Sequence, residues 1–164
     1  MYGAFVVPEY NIFMTKLHHE ITINAPVEKV FRTLADLESV RFTNPLVKTV
    51  KIISSNKEGV GSARHCDFKD GKFVEERVTA FEPNKSISFE LYEHQWPLVF
   101  MRWTNGLEKG GDSTLLISDT EYDLKFGIAG KIMNTLIMRR KFSQIIDDAL
   151  GKLKSYVETG ATAS

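Results

Sequence analysis

The chain has 164 residues, with 21 basic and 21 acidic side chains, so its formal charge is zero. That length suits one domain able to bury a core, the balanced charge argues against a nucleic-acid partner, and the lone cysteine, Cys66, excludes an internal disulfide. No apolar run reaches the roughly 18 residues that span a bilayer, and residues 1–16 lack the features of a signal peptide, so the expectation is a cytoplasmic protein without a transmembrane segment.

Residues 1–16 carry Phe5, Val6, Val7, Ile12 and Phe13 and read as an arm that packs on the body or on a neighbouring subunit, with disorder as the alternative. Leu17 to Asn24 alternates in polarity, which predicts a strand with Leu17, His19, Ile21 and Ile23 on one face. Ala25-Pro26 ends it, and Pro26 suits the first turn of a helix whose buried face is Val27, Val30, Phe31 and Leu34. Asp36 to Thr43 predicts a second short helix, stopped before Pro45. Strand patterns follow over Val47 to Ser54, Val60 to Phe68 and Phe73 to Phe81; the last two flank Lys69-Asp70-Gly71-Lys72, a hairpin signal. Ile87, Phe89 and Leu91 mark the next strand, Val99, Met101 and Trp103 another, and Thr114 to Leu124 the last.

A long helix is then predicted from Ile128 to Glu158, roughly thirty residues or about 45 Å. Its apolar stripe runs Ile128, Ile132, Leu136, Phe142, Ile146, Leu150, Leu153 and Val157. Met133, Ile137 and Met138 make the upper half apolar nearly all round, so that half is expected to be covered by loops or to line a cavity. One strand, two short helices, six strands in meander and a long helix make an α+β domain, with a seven-stranded antiparallel sheet wrapped around the last helix.

The order resembles the helix-grip fold of the START-like, or SRPBCC, superfamily, which includes polyketide cyclase/dehydratase-like and lipid-transport proteins. The residues that carry the likeness are Ile21-Thr22-Ile23-Asn24-Ala25-Pro26-Val27-Glu28-Lys29-Val30-Phe31, Gly59-Val60-Gly61-Ser62-Ala63-Arg64, Glu76-Arg77-Val78 and Phe81-Glu82-Pro83. The Gly-rich turn before Ser113-Thr114 and the terminal helix complete it. Members often have Trp after the first helix, where this chain has Phe42. The likeness covers residues 17–158 as the domain, leaving 1–16 as the arm and 159–164 as a tail. It implies a cavity of roughly 300 to 1,000 Å³ beside the upper half of the helix.

Two functions fit. The first is binding or carriage of a small, mostly apolar molecule such as a lipid, polyketide or isoprenoid; the alternative is a cofactor-independent cyclase or dehydratase using acid–base residues. No Cys or His cluster has metal-ligand spacing, Gly106-Leu107-Glu108-Lys109-Gly110-Gly111 lacks the Lys-Ser/Thr of a phosphate loop, and no serine sits in a nucleophile elbow. No metal and no cofactor are therefore expected, and the chain reads as a monomer or homodimer.

Met101 and Trp103 share one strand face, and Ser118, Thr120 and Tyr122 share one face of the last strand, a mixture suited to a ligand pocket. Met133 and Ile137 would add the helical wall, His19 a polar group on the first strand, and Arg139 a cation for an anionic head group. If Asp70-Gly71 forms a two-residue loop, His65 lies opposite Glu76, with Ala63, Val74 and Val78 on the same face. That face pointing inward would make His65 and Glu76 an acid–base pair; Phe68 and Phe73 favour the opposite orientation.

Overall fold

A computed structural model describes residues 14–162. Most of the arm expected at 1–16 lies outside the described residues, and strand β1 (Thr15–Ile23) already takes its last two. Leu17 and Ile23 are buried while Lys16, His18, Glu20 and Thr22 are exposed, as the alternation requires.

Helix α1 (Val27–Ala35) starts at Pro26 and buries Val27, Val30, Phe31 and Ala35. A 3₁₀ turn (Leu37–Ser39) follows, its end capped by the Asp36 carboxylate, which accepts from the Glu38 amide at 3.0 Å. Helix α2 (Val40–Thr43) stops two residues before Pro45. Six strands then form a meander: β2 (Val47–Ile52), β3 (Ala63–Phe68), β4 (Phe73–Glu82), β5 (Ser86–His94), β6 (Leu98–Gly110) and β7 (Ser113–Leu124). With β1 they make one seven-stranded antiparallel sheet, ordered β1-β7-β6-β5-β4-β3-β2.

The long helix is three segments in series: α3 (Gly127–Met133), a π turn (Asn134–Met138) and α4 (Arg139–Thr159). Gly160, at φ 76°, ends α4 in the left-handed conformation that glycine adopts without strain. Phe142, Leu150, Leu153 and Val157 carry the buried stripe of α4. They complete two contiguous cores, one built with α1, Ile23, Val78, Ile87 and Leu116, the other with Leu17, Cys66, Val74, Leu91 and Tyr122. Phe42 stacks on Tyr156 at 5.5 Å, which ties α2 to the helix.

The upper half of the helix departs from its sequence pattern. Ile128, Ile132, Leu136 and Ile137 are 76%, 58%, 72% and 59% exposed, and Gly130, Met133 and Met138 face the sheet instead. Two causes are visible. A Cβ on Gly130 would lie 2.4 Å from the Lys125 carbonyl oxygen, so only glycine allows α3 to sit this close to the end of β7, and that contact fixes which side turns inward. The π turn then adds a residue to one turn, so a stripe counted at 3.6 residues loses phase on crossing it.

The β3–β4 hairpin differs by one residue. Its loop is Lys69-Asp70-Gly71: the Phe68 amide donates to the Lys72 carbonyl at 2.8 Å, and Gly71 takes φ 84°. A type I turn closed by a left-handed glycine is the usual three-residue loop. Arg64 therefore pairs with Glu76 and His65 with Glu75, not His65 with Glu76. Arg64, Cys66, Phe68, Val74, Glu76 and Val78 are buried, whereas His65, Asp67 and Glu75 lie on the other face.

Candidate functional site

Inner-face residues of neighbouring strands form a continuous row. The Arg64 guanidinium lies 5.3 Å from the Phe89 ring, and Phe89 stacks on Trp103 at 5.2 Å. Trp103 is opposite Thr120, and Thr120 opposite Leu17. Beside that row, Asn105 pairs with Ser118 and Ser118 with His19. The buried polar groups Asn105, Ser118 and Thr120 thus sit among aromatic and aliphatic walls.

Arg64 and Glu76 anchor one end of the row. Nε and Nη2 of Arg64 both reach Glu76 Oε2 at 2.5 Å, and Nη1 donates to the Leu37 carbonyl at 3.1 Å. The two side chains are 8% and 11% exposed. Burial works most strongly against the Arg64 charge, but the neighbouring groups, Glu76 foremost, together outweigh it and raise the pKa. Both nitrogens converge on a single oxygen, so Glu76 Oε1 is left outside the Arg64 bonds. Cys66 sits two residues away on the same face, its thiol pushed up to about 12, chiefly by burial and then by Glu76. It is an inert core thiol.

His19 marks the other end. Its Nε2 lies 2.8 Å from the Ser143 hydroxyl on α4 and 3.7 Å from Asp147 Oδ1. The side chain is only 9% exposed, and Nδ1 is buried with no hydrogen-bond partner among the described residues. A buried polar atom left unmatched costs about 1–3 kcal/mol, so this nitrogen is primed for a partner.

Tyr122 closes the wall beneath the π turn. Its ring is 4.8 Å from Phe142, and its hydroxyl donates to Asn134 Oδ1 at 2.6 Å. Asn134 Nδ2 in turn donates to the Thr15 hydroxyl at 2.7 Å. Burial raises the Tyr122 pKa, so the phenol stays protonated and serves as a donor. Met101, Trp103, Met133 and Met138 are partly buried and pack against this second core.

The structure thus brings His19, Met101, Trp103, Tyr122, Met133 and Glu76 into one interior. Ile137 and Arg139 are not in it: both are exposed, displaced by the phase change at the π turn. His65 also lies outside. It stacks on Phe73 at 4.9 Å, contacts Glu75 at 3.0 Å and Asp67 at 3.3 Å, and the Glu75 contact leads in raising its pKa. Sequence reasoning missed Arg64, Ser143 and Asn134. Arg64 was within reach, because Arg64, Cys66 and Phe68 alternate with His65 and Asp67, and Phe68 points to the core.

Two hollows are open to solvent. One, of 470 Å³, lies between Pro45 and α4 residues Asp147, Asp148, Gly151, Lys152 and Ser155; the other, of 340 Å³, is lined by Lys48, Thr49, Asp67, Phe68 and Gly71. Neither is bounded by the expected pocket residues. The candidate site is instead the methionine and aromatic layer between the sheet and the long helix, where Met101, Trp103, Met133 and Met138 pack around Tyr122.

Residues 14–158 match the family model described as polyketide cyclase / dehydrase and lipid transport. A crystal structure of a Thermus thermophilus protein superposes with a TM-score of 0.74 at 20% identity, covering 90% of this chain and 100% of that one. The XoxI protein of Bacillus cereus gives 0.68 at 16% identity, covering 87% and 95%. Ara h 8.0201 gives 0.69 at 14%, covering 88% and 97%. At such identities the likeness is one of fold. No curated protein matches the chain in sequence.

Proposed function

The chain belongs to the polyketide cyclase / dehydrase and lipid transport family, and on that premise we propose that it binds and carries a small, mostly apolar molecule between α4 and the inner face of the sheet. The observation that carries this reading is His19: a buried imidazole whose Nδ1 lacks a partner among the described residues, beside a row of aromatic and small polar groups. Apolar walls with a few orienting polar groups are what such ligands need. An apolar body would pack on Trp103, Met101 and Met133, and a hydroxyl or carbonyl on it would meet His19.

Tryptophan emission tests it. Trp103 lies in the row, whereas Trp96 packs edge-on against Phe68 at 5.0 Å. Titration with 1-aminoanthracene or a medium-chain fatty alcohol should quench or shift the emission, and Trp103→Phe should remove most of the change. His19→Phe should weaken the alcohol more than the hydrocarbon of equal length. A response that survives Trp103→Phe, or none at all, refutes the site.

Catalysis is the second reading, favoured by Glu76, a carboxylate on the inner face whose Oε1 the Arg64 bonds leave out. Acid–base work would then fall to Glu76 and His19, since His65 lies on the outer face. Its signature is turnover of a polyketide-like ketone that Glu76→Gln abolishes while probe binding persists.

A further inference from the structure

The largest unexplained feature is the outward side of α3 and the π turn. Five of the most exposed large apolar side chains lie within twelve residues of sequence: Phe126, Ile128, Ile132, Leu136 and Ile137, each 58% to 76% exposed. Ile128, Ile132 and Leu136 are four apart, one row along the helix. Phe126 adds a second oddity. It holds φ 81°, a left-handed backbone that costs a bulky residue, while its ring is 67% exposed.

Charge decides what covers this face. From Lys125 to Gln144 the sequence has five basic residues and no acidic one, in a chain whose net charge is zero. Lys125, Arg139, Arg140 and Lys141 are exposed and form no ion pair among the described residues. Arg139, Arg140 and Lys141 follow Leu136, Ile137 and Met138 directly in the chain, so the apolar stretch ends in cations. A second copy docked face to face would set these cations against themselves. The leading residues 1–13 supply one carboxylate, Glu9, too little to match them. A surface both apolar and anionic matches both halves.

We propose that α3 and the π turn dock this protein on an anionic phospholipid bilayer. Phe126, Ile128, Ile132 and Leu136 enter the acyl boundary, and Arg139, Arg140 and Lys141 lie among the head groups, as in interfacial amphipathic helices. The inference stands on this surface alone and needs no ligand in the interior.

The test is cosedimentation of the full chain with phosphatidylcholine vesicles, with and without phosphatidylglycerol, and with no apolar probe added. Binding is expected to the anionic vesicles, to fall as salt rises, and to be weaker on the neutral ones. Ile132→Asp/Leu136→Asp and Arg140→Glu/Lys141→Glu should each lower the partition coefficient about tenfold or more. These side chains are exposed, so both variants should keep the parent's circular dichroism and unfolding midpoint. Failure of the parent to bind anionic vesicles overturns the proposal, as does binding that both variants retain. A dimer in sedimentation velocity that Leu136→Asp dissolves, without vesicle binding, gives the face to a second copy and also overturns it. Because the tryptophan titration uses no vesicles, either result leaves the interior site to be judged separately.

Discussion

Removing one partner of the Arg64–Glu76 pair should cost more than removing both. In Glu76→Gln the guanidinium keeps its contacts to the Leu37 carbonyl and the Phe89 ring but loses the carboxylate that Nε and Nη2 both reach. A charge that is 8% exposed is then left without its counterion. Breaking a buried pair in this way costs about 3–5 kcal/mol. Arg64→Met strands the carboxylate instead and leaves the Leu37 carbonyl without its donor, so its cost should be at least as large. Arg64→Met/Glu76→Leu removes both charges and fills similar volume, and should lie within about 1–2 kcal/mol of the parent. Urea unfolding of the four proteins reads the cycle directly, since a typical domain has about 5–15 kcal/mol to lose. Single variants costing under about 1 kcal/mol, as a solvated pair would show, refute the reasoning. So does a double variant whose loss equals the sum of the singles.

The two halves of the long helix should respond differently: Leu150→Ala should cost about 2–5 kcal/mol, whereas Leu136→Ala should stay within about 0.5 kcal/mol. Equal losses by urea unfolding would mean that the upper half is packed in solution. The third outcome concerns His65, whose pKa is raised above 6.5 first by Glu75 and then by Asp67, against desolvation. A raised folded value stabilises the protein at and below 6.5 and loses that contribution as pH climbs through the raised value. His65→Gln should therefore flatten this fall, and a proton NMR titration should place the parent's His65 midpoint above 6.5. His18 is raised in the same direction by Asp119, so His18→Gln is the comparison that separates the two. A His65 midpoint at or below 6.5 would break the argument.

Alternation and punctuation made the sheet legible. Leu17 to Ile23 could bury one face in only one way, Ala25-Pro26 had to end the strand, and the order of elements then left little freedom in topology. The inner positions of β6 and β7 were legible for the same reason, and Met101, Trp103, Ser118, Thr120 and Tyr122 share the interior. Two local irregularities hid the rest. Lys69 joins the loop because Gly71 closes it in the left-handed conformation, and that one residue turns His65 out and Arg64 in. Nothing in the apolar pattern of 127–138 announces a π turn, so a count at 3.6 residues puts Ile137 and Arg139 on the wrong side. Both errors have period as their cause: an added residue inverts a strand face outright and rotates a helix stripe gradually.

The strand order carries a consequence for the time course of folding. Every neighbouring pair from β2 to β7 is consecutive in the chain, so hairpins can form as each strand emerges. β1 is the exception, because it pairs with β7, from Thr15 opposite Tyr122 to Ile23 opposite Thr114. Closing a loop of that length is entropically slow and gains nothing until the whole meander is in place. During synthesis β1 must wait for β7 before it can pair. His19 rides on that strand and Ser143 on the helix that follows β7. The polar end of the candidate site is therefore assembled in the closing step, and a chain arrested before β7 has the hairpins but no His19–Ser143 contact.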